Sequence, residues 1–231
     1  MNKKYPKLET LPVPTDIADP ASVAALFQKI KQKYSHADVL ANNAGVFKAI
    51  APVKDIDQAA SWEELTLNIH GTFLVTQSFL ALLSTPHTPA KILTPTTSAA
   101  YEVFPALSAY DLSKLVVFQL MTYVAAENPN VLAVSLHLGI VLMSMTIDAF
   151  MPFAKDTPAL LAGLGTWLAG WEGVERGFLS GRIFFNPQPG CAPRCFVSWP
   201  SSAAVSSSGF RRGKALTQPH ILLLHLHQLL W

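Results

Sequence analysis

Tyr110-Asp111-Leu112-Ser113-Lys114 sets a phenol and an ammonium group one helical turn apart, and the fold is read outward from it. Residues four apart share a helix face, so this pair can meet one ligand, or each other. A free phenol has a pKa of about 10 and is a poor base at neutral pH, while an adjacent cation favours its phenolate. The preceding Phe104-Pro105-Ala106-Leu107-Ser108-Ala109 leads into a helix predicted from Ser108 to about Ala126. Upstream, Asn42-Asn43-Ala44-Gly45 is a polar turn directly after a short apolar strand, Asp38-Val39-Leu40-Ala41. By themselves the two motifs also fit a packed tyrosine beside a solvated lysine, and a turn without function.

Further elements follow from periodicity and punctuation. Leu8 to Pro14 is predicted as a strand carrying into Thr15-Asp16. Asp19-Pro20 starts a helix, with a carboxylate N-cap and proline at the first helical position. Val23, Leu26, Phe27, Ile30 and Tyr34 form its buried stripe. Ser61-Trp62-Glu63-Glu64 has the pattern of a capping box. It opens a long helix with an expected apolar face through Leu65, Ile69, Phe73, Phe79, Leu80 and Leu83. Ile92-Leu93 begins a strand, although Pro95 sits where a central strand wants an amide donor. Val131 to His137 is the next strand, Leu160 to Ala169 a helix, and Phe178 to Phe185 a last candidate strand. Strands alternating with helices predict an α/β fold with a doubly wound parallel sheet.

Composition bounds the possibilities. Half of the 231 residues are hydrophobic and 14% are charged, so a packed domain is expected rather than a disordered chain. A formal charge of +2 gives no reason to expect nucleic acid or an anionic membrane as a partner. Val131 to Met145, the longest apolar stretch, is interrupted by Ser135 and His137, and no membrane span is expected. Two cysteines, Cys191 and Cys195, fit a reducing compartment, and the expected location is the cytoplasm. His225-Leu226-His227 has no further ligands near it, so no metal site is expected.

The tyrosine–lysine helix and the asparagine turn together resemble the short-chain dehydrogenase/reductase family, over about Leu8 to Arg182. The resemblance implies a Rossmann-like sheet and hydride transfer between a nicotinamide cofactor (NADP or NAD, the first preferred) and a small-molecule carbonyl or secondary alcohol. Tyr110 would then transfer the proton, while Lys114 stabilises the phenolate and holds the nicotinamide ribose. Asn68, in Asn68-Ile69-His70-Gly71, matches the helix-kinking asparagine whose carbonyl positions a relay water behind the lysine. Ser98 matches the hydroxyl that polarises the substrate carbonyl, and Thr97 beside it has the family's usual spacing to the tyrosine. Asn42, Asn43, Ala44 and Gly45 are implied to fix the central strand and line the adenosine side. Asp16 matches the aspartate that bonds the adenine amino group, though an Asp ahead of a helix also fits a local turn or cap. Val141, in Ile140-Val141-Leu142-Met143, is implied to line the cofactor site. Family members commonly dimerise through their two long helices, here around Ser61 to Leu83 and Ser108 to Ala126. Phe104 to Lys114, Asp148 to Pro158 and Phe178 to Arg182 are closest in texture to members that tailor secondary metabolites.

The sequence also departs from that pattern. It contains no Gly-x-x-x-Gly-x-Gly loop, and the family's first two strands are absent. The edge around Asp38 to Ala41 is therefore expected to be unpaired. Leu138-Gly139 stands where the family has Pro-Gly, and Met143 where it has the carboxamide-binding threonine. From Gly177 to Trp231 there is no Asp or Glu and no clear period. Residues 1–185 read as a truncated Rossmann-like domain and 186–231 as an irregular segment foreign to it. A second reading follows from these departures: a non-catalytic remnant that pairs its long helices with an intact relative.

Overall fold

Five strands, all parallel, lie side by side in the order β4-β3-β2-β1-β5. They are β1 (Val39–Asn42), β2 (Ala90–Thr96), β3 (Val131–His137), β4 (Arg182–Phe185) and β5 (Ile221–Leu224). The computed structural model describes residues 9–85, 87–142, 145–170, 179–185 and 221–224. Met143, Phe178, Cys191, Cys195, His225 and His227 lie outside them. Side chains of the central strands alternate between two apolar layers, as a sheet covered on both faces requires. Leu40, Ile92 and Ala133 face helices α1 (Pro20–Tyr34), α3 (Thr72–Leu82) and α4 (Ser108–Glu127). Val39, Leu93, Leu132 and Val134 face α5 (Pro158–Ala169).

Helix α1 begins as its sequence predicts. The Asp19 carboxylate accepts from the Ala21 and Ser22 amides at 3.0 and 3.1 Å, and Pro20 occupies the first turn. Its stripe of Val23, Leu26, Phe27 and Ile30 is buried.

Residues 9–14, expected to be extended in a sheet, form no strand. Pro12 and Pro14 remove two of the amides a ladder needs, and no described strand lies beside them. Val13 nonetheless packs against the core.

The expected capping box is also corrected. Helix α2 (Gln58–Leu65) starts three residues before Ser61, capped by Asp57, whose carboxylate accepts from Ala60 N–H at 2.7 Å. Freed from the cap, Glu64 turns inward. The apolar face expected downstream is met in part: Phe79 is buried and Leu80 and Leu83 pack against the core, whereas Phe73 is exposed and Glu64, Asn68, Thr72, Val75 and Thr76 are buried. A π turn at Thr66–Gly71 joins α2 to α3. Its wider bonding shifts the face presented downstream, so the expected period misplaces Phe73.

The whole helix, Gln58–Leu82, is long and apolar enough to cross a membrane by length and composition. Here its buried side includes the polar Glu64, Asn68, Thr72 and Thr76, all turned towards protein.

The edge of β1 is occupied. Val39, Leu40, Ala41 and Asn42 pair in register with Ile221, Leu222, Leu223 and Leu224. Four residues of the segment read as irregular thus fill the place expected to be bare. The last candidate strand is shorter than its prediction, beginning at Arg182 after a buried Leu179 and Gly181 at φ +73°.

Truncating the chain before Ile221 should strip protection from the β1 amides that face β5. Hydrogen exchange at Val39–Asn42 checks this, with β3 amides as the unaffected reference.

Candidate active site

The C-terminal ends of parallel strands collect polar side chains because the ladder stops there and the chain must turn away. Asn42-Asn43-Ala44-Gly45 leaves β1, Thr97-Ser98 leaves β2 and Leu138-Gly139 leaves β3, all at the same end of the sheet. Asn42 is buried, and its side-chain amide donates to Thr76 Oγ1 at 3.0 Å and Thr94 Oγ1 at 3.2 Å. It ties β1 to α3 and β2. Asn43 N–H closes a tight turn onto Ala41 O at 3.0 Å.

Asn68, in the π turn, grips the chain just beyond. Its Oδ1 accepts from Val46 N–H at 2.8 Å, and its Nδ2 donates to Val46 O at 2.9 Å and Ser113 Oγ at 3.1 Å. Its main-chain carbonyl accepts from Thr72 Oγ1 at 2.7 Å.

Gly45 passes between Asn68 and Lys114. A Cβ there would lie 3.3 Å from Asn68 Oδ1 and 3.6 Å from Lys114 Nζ, so glycine keeps this corridor open.

Lys114 is buried, and its ammonium donates to Pro95 O at 3.2 Å. The proline in the strand now has its reason. Lys91 N–H bonds to Asp38 O, so by alternation residue 95 also points its backbone polar groups towards the β1 side. Pairing with β1 ends at Ala41–Leu93, leaving no strand to miss an amide and a carbonyl free to receive the lysine. Lys114 Nζ lies 5.5 Å from the centre of the Tyr110 ring, so the two side chains share one compartment. Phe47 lies against the same ring at 4.7 Å, tilted by 46°.

The electrostatics differ from the simple sequence picture. Burial pushes the Tyr110 phenol up to about 12, and the charges of Glu64 and Asp111 push the same way. Burial brings Lys114 down to about 8, opposed by Glu64. Desolvation and two carboxylates thus set the phenol high in the protein alone. Burial also raises Asp111 to about 6, against a backbone hydrogen bond involving Phe104 and with help from Glu64. Glu64 was missed by sequence reasoning, since its place in an apparent capping box gave it a solvent-side role.

Ser98 opens a short 3-10 turn, and its N–H donates to His137 Nδ1 at 3.1 Å. His137 therefore carries its proton on Nε2 when neutral. Thr97 precedes it, also half-buried.

Beyond β3, Gly139 has φ +75°, and a Cβ there would meet Asp156 Oδ2, so Leu138-Gly139 keeps the essential half of the expected Pro-Gly turn. Asp156 Oδ2 accepts from Ile140 N–H at 3.0 Å, and Val141 is buried in a parallel bridge to Asp156.

Asp16 is exposed and uses Oδ1 to accept from Ala18 N–H at 2.9 Å, the local-turn role weighed for it. Next to it a shallow cleft is lined by Ile17, Asn42, Ala44, Thr72 and Val75.

These residues fit a nicotinamide dinucleotide on its ribose side. Two of the three Lys114 N–H donors have no acceptor among the described residues, and the Gly45 corridor leaves room beside them.

A parallel sheet wound with helices, carrying tyrosine and lysine one turn apart beside an asparagine-rich turn, defines a Rossmann-type dehydrogenase scaffold. The family model described as short chain dehydrogenase matches residues 2–150, and the chain belongs to that family. Among its relatives is the short chain dehydrogenase tazN of Aspergillus terreus, 34% identical over 134 residues, covering 57% of this chain and 29% of tazN. Another is the short chain dehydrogenase pigC of Monascus ruber, 34% identical over 117 residues, covering 51% of this chain and 38% of pigC. The chain thus spans well under half the length of these two relatives. Among solved structures, NAD+-bound xylitol dehydrogenase superposes with a TM-score of 0.64 at 18% identity, covering 74% of this chain and 75% of that one. Gluconate 5-dehydrogenase from Burkholderia cenocepacia, in complex with NADP and tartrate, gives 0.64 at 21%, covering 74% and 71%. These superpositions show the shared fold.

The Ser98–His137 bond has a pH signature. Burial lowers the His137 pKa, against the opposing charges of Asp156 and Glu102. A histidine depressed in the folded state contributes stability above its unfolded pKa, and that contribution is lost as pH falls. Asp111 has the opposite sign, since its raised pKa costs stability as pH rises from about 4 through about 6. Urea midpoints of the parent and His137→Asn should therefore diverge between about pH 7 and about pH 5, the variant losing less on acidification.

Proposed function

We propose that this chain is an NAD(P)-dependent oxidoreductase acting on a carbonyl or secondary alcohol of a small molecule. The observation that carries the reading is Lys114 Nζ at 5.5 Å from the Tyr110 ring centre, beside the bare Gly45 backbone. A bound nicotinamide supplies the hydride donor or acceptor. Everything else falls to this chain's own groups. Tyr110 Oη passes a proton to, or takes it from, the substrate oxygen. Lys114 keeps its charge near the phenol, and its remaining donors hold the ribose hydroxyls. The hydroxyl of Ser98, with Thr97 adjacent, donates to the substrate oxygen, held in place by the Ser98 N–H bond to His137. Asn68 keeps the turn and helix α4 in register, and its carbonyl is assigned the relay water. Asp16, Asn42, Asn43, Ala44, Gly45 and Val141 line the remainder of the cofactor path, with NADP ahead of NAD. Nothing in the geometry favours the non-catalytic reading.

Titration with NADPH and NADH side by side tests binding, and no binding of either at about 1 mM would count against the reading for this polypeptide. Tyr110→Phe should lower kcat about a thousandfold and leave cofactor Kd within about threefold, because general acid–base catalysis is lost without a binding contact.

A role in tailoring secondary metabolites is part of the proposal, supported by the sequence texture and by the likeness to the short chain dehydrogenases tazN and pigC; a cytoplasmic location joins it on the cysteine content alone. Self-association through the long helices belongs to it as well. Helix α4 leaves Leu112, Leu115, Val116 and Tyr123 exposed, and Trp62 and Phe73 are exposed on the neighbouring helix. Apolar side chains gathered on helix faces favour burial against another surface. Val116→Glu should convert the assembly to monomers in sedimentation velocity, and an unchanged size distribution would remove α4 from the interface.

A further inference from the structure

Glu64 is the one carboxylate among the described residues that is fully buried, and the scheme above gives it no task. Its Oε2 accepts from Lys48 N–H at 2.6 Å and Ala49 N–H at 2.9 Å. Its Oε1 is buried without a hydrogen-bond partner among the described residues. A buried carboxylate oxygen left unbonded is costly, and a single helix end or turn does not require it.

Four residues further along the same helix, Asn68 holds Val46 through both its N–H and its carbonyl. Residues 64 and 68 therefore grip the two ends of the four-residue segment Val46-Phe47-Lys48-Ala49, and the ring of Phe47 lies on Tyr110 between them.

We propose that Glu64 is a positioning residue for Tyr110 and Lys114. It closes the second end of this clamp, so holding Phe47 against the phenol ring, and it is the buried anion whose charge bears on both groups. The inference rests on the oxidoreductase reading for its functional meaning, although its physical content does not need turnover.

The groups around Glu64 are few. From α4 come Tyr110, Asp111 and Lys114, each of which its charge reaches. From the clamped segment comes only the backbone of Lys48 and Ala49, because the Lys48 ammonium pairs with Glu63 Oε1 at 2.9 Å on the surface. An anion in this place makes the ammonium easier to keep and the phenolate harder to form. It thereby sets the pH range in which both protonation states suit proton transfer.

Glu64→Gln removes the charge and keeps an oxygen for the Lys48 and Ala49 amides. The probe is the Lys114 side chain itself: Cε-labelled lysine followed by carbon NMR through its titration, with Lys114→Arg to assign the signal. The expected result is a fall in the Lys114 midpoint of about half a pH unit or more, since the stabilising anion is gone. In turnover, the kcat–pH profile should move to lower pH, with cofactor KM within about twofold. An unmoved Lys114 midpoint in a folded Gln variant overturns the proposal.

If Glu64→Gln does not fold, Phe47→Leu leaves the charge and both ends of the clamp intact. The labelled Tyr110 ring signal must then shift, because the neighbouring ring is lost, and an unchanged signal overturns the positioning. A protein that shows the Lys114 shift yet binds no NADPH refutes the oxidoreductase reading alone.

Discussion

Three hydrogen bonds from one buried amide, Asn68 to Val46 and Ser113, hold the candidate site together. They join the chain leaving β1 to the helix that carries the tyrosine and lysine. Without them the strand-end turn and helix α4 would be neighbours only by apolar packing, which has no preferred orientation. The π turn around Asn68 supplies the geometry, since its wider bonding aims this side chain at both partners at once. Pro95 is a second consequence. It can stand near the middle of a parallel sheet because the strand on its donor side has already turned away to meet Asn68.

Burial sets the electrical character of the same region. Lys114 and Glu64 are both enclosed, and Tyr110 is half-buried with its phenol strongly desolvated. An enclosed cation and an enclosed anion each cost free energy to desolvate, and each lowers the cost of the other. Burial is the larger cause of the high phenol and the low ammonium in the protein alone, and Glu64 adds to the first while opposing the second. The arrangement leaves unused hydrogen-bonding capacity at one end, on Lys114, and an unbonded oxygen at the other, on Glu64.

Much of this was legible in the residues. The stripe of α1, its Asp19 cap, the strands at Val39 and Val131 and the pairing of Tyr110 with Lys114 all follow from local periodicity or spacing. Features set by distant partners were not. Glu64 sits in a motif that promises a solvent-facing cap, and only the earlier start at Asp57 turns it inward. Leu8 to Pro14 has strand-like alternation, but two prolines and the want of a neighbour leave residues 9–14 irregular. Ile221–Leu224 gives no local sign of its role, because a short apolar run acquires meaning only when an open edge is there to receive it.

That last pairing bears on how the molecule reaches its native state. Residue 39 lies beside residue 221, so closing the sheet requires ends of a very long stretch of polypeptide to meet. The entropy of such a closure is lost before any contact compensates for it, and contacts of this kind slow folding. During synthesis the flank of β1 stands open until Ile221–Leu224 has left the ribosome. Over that interval its exposed ladder is a template for strands of other nascent chains, which makes chaperone demand and expression temperature sensitive properties of this architecture.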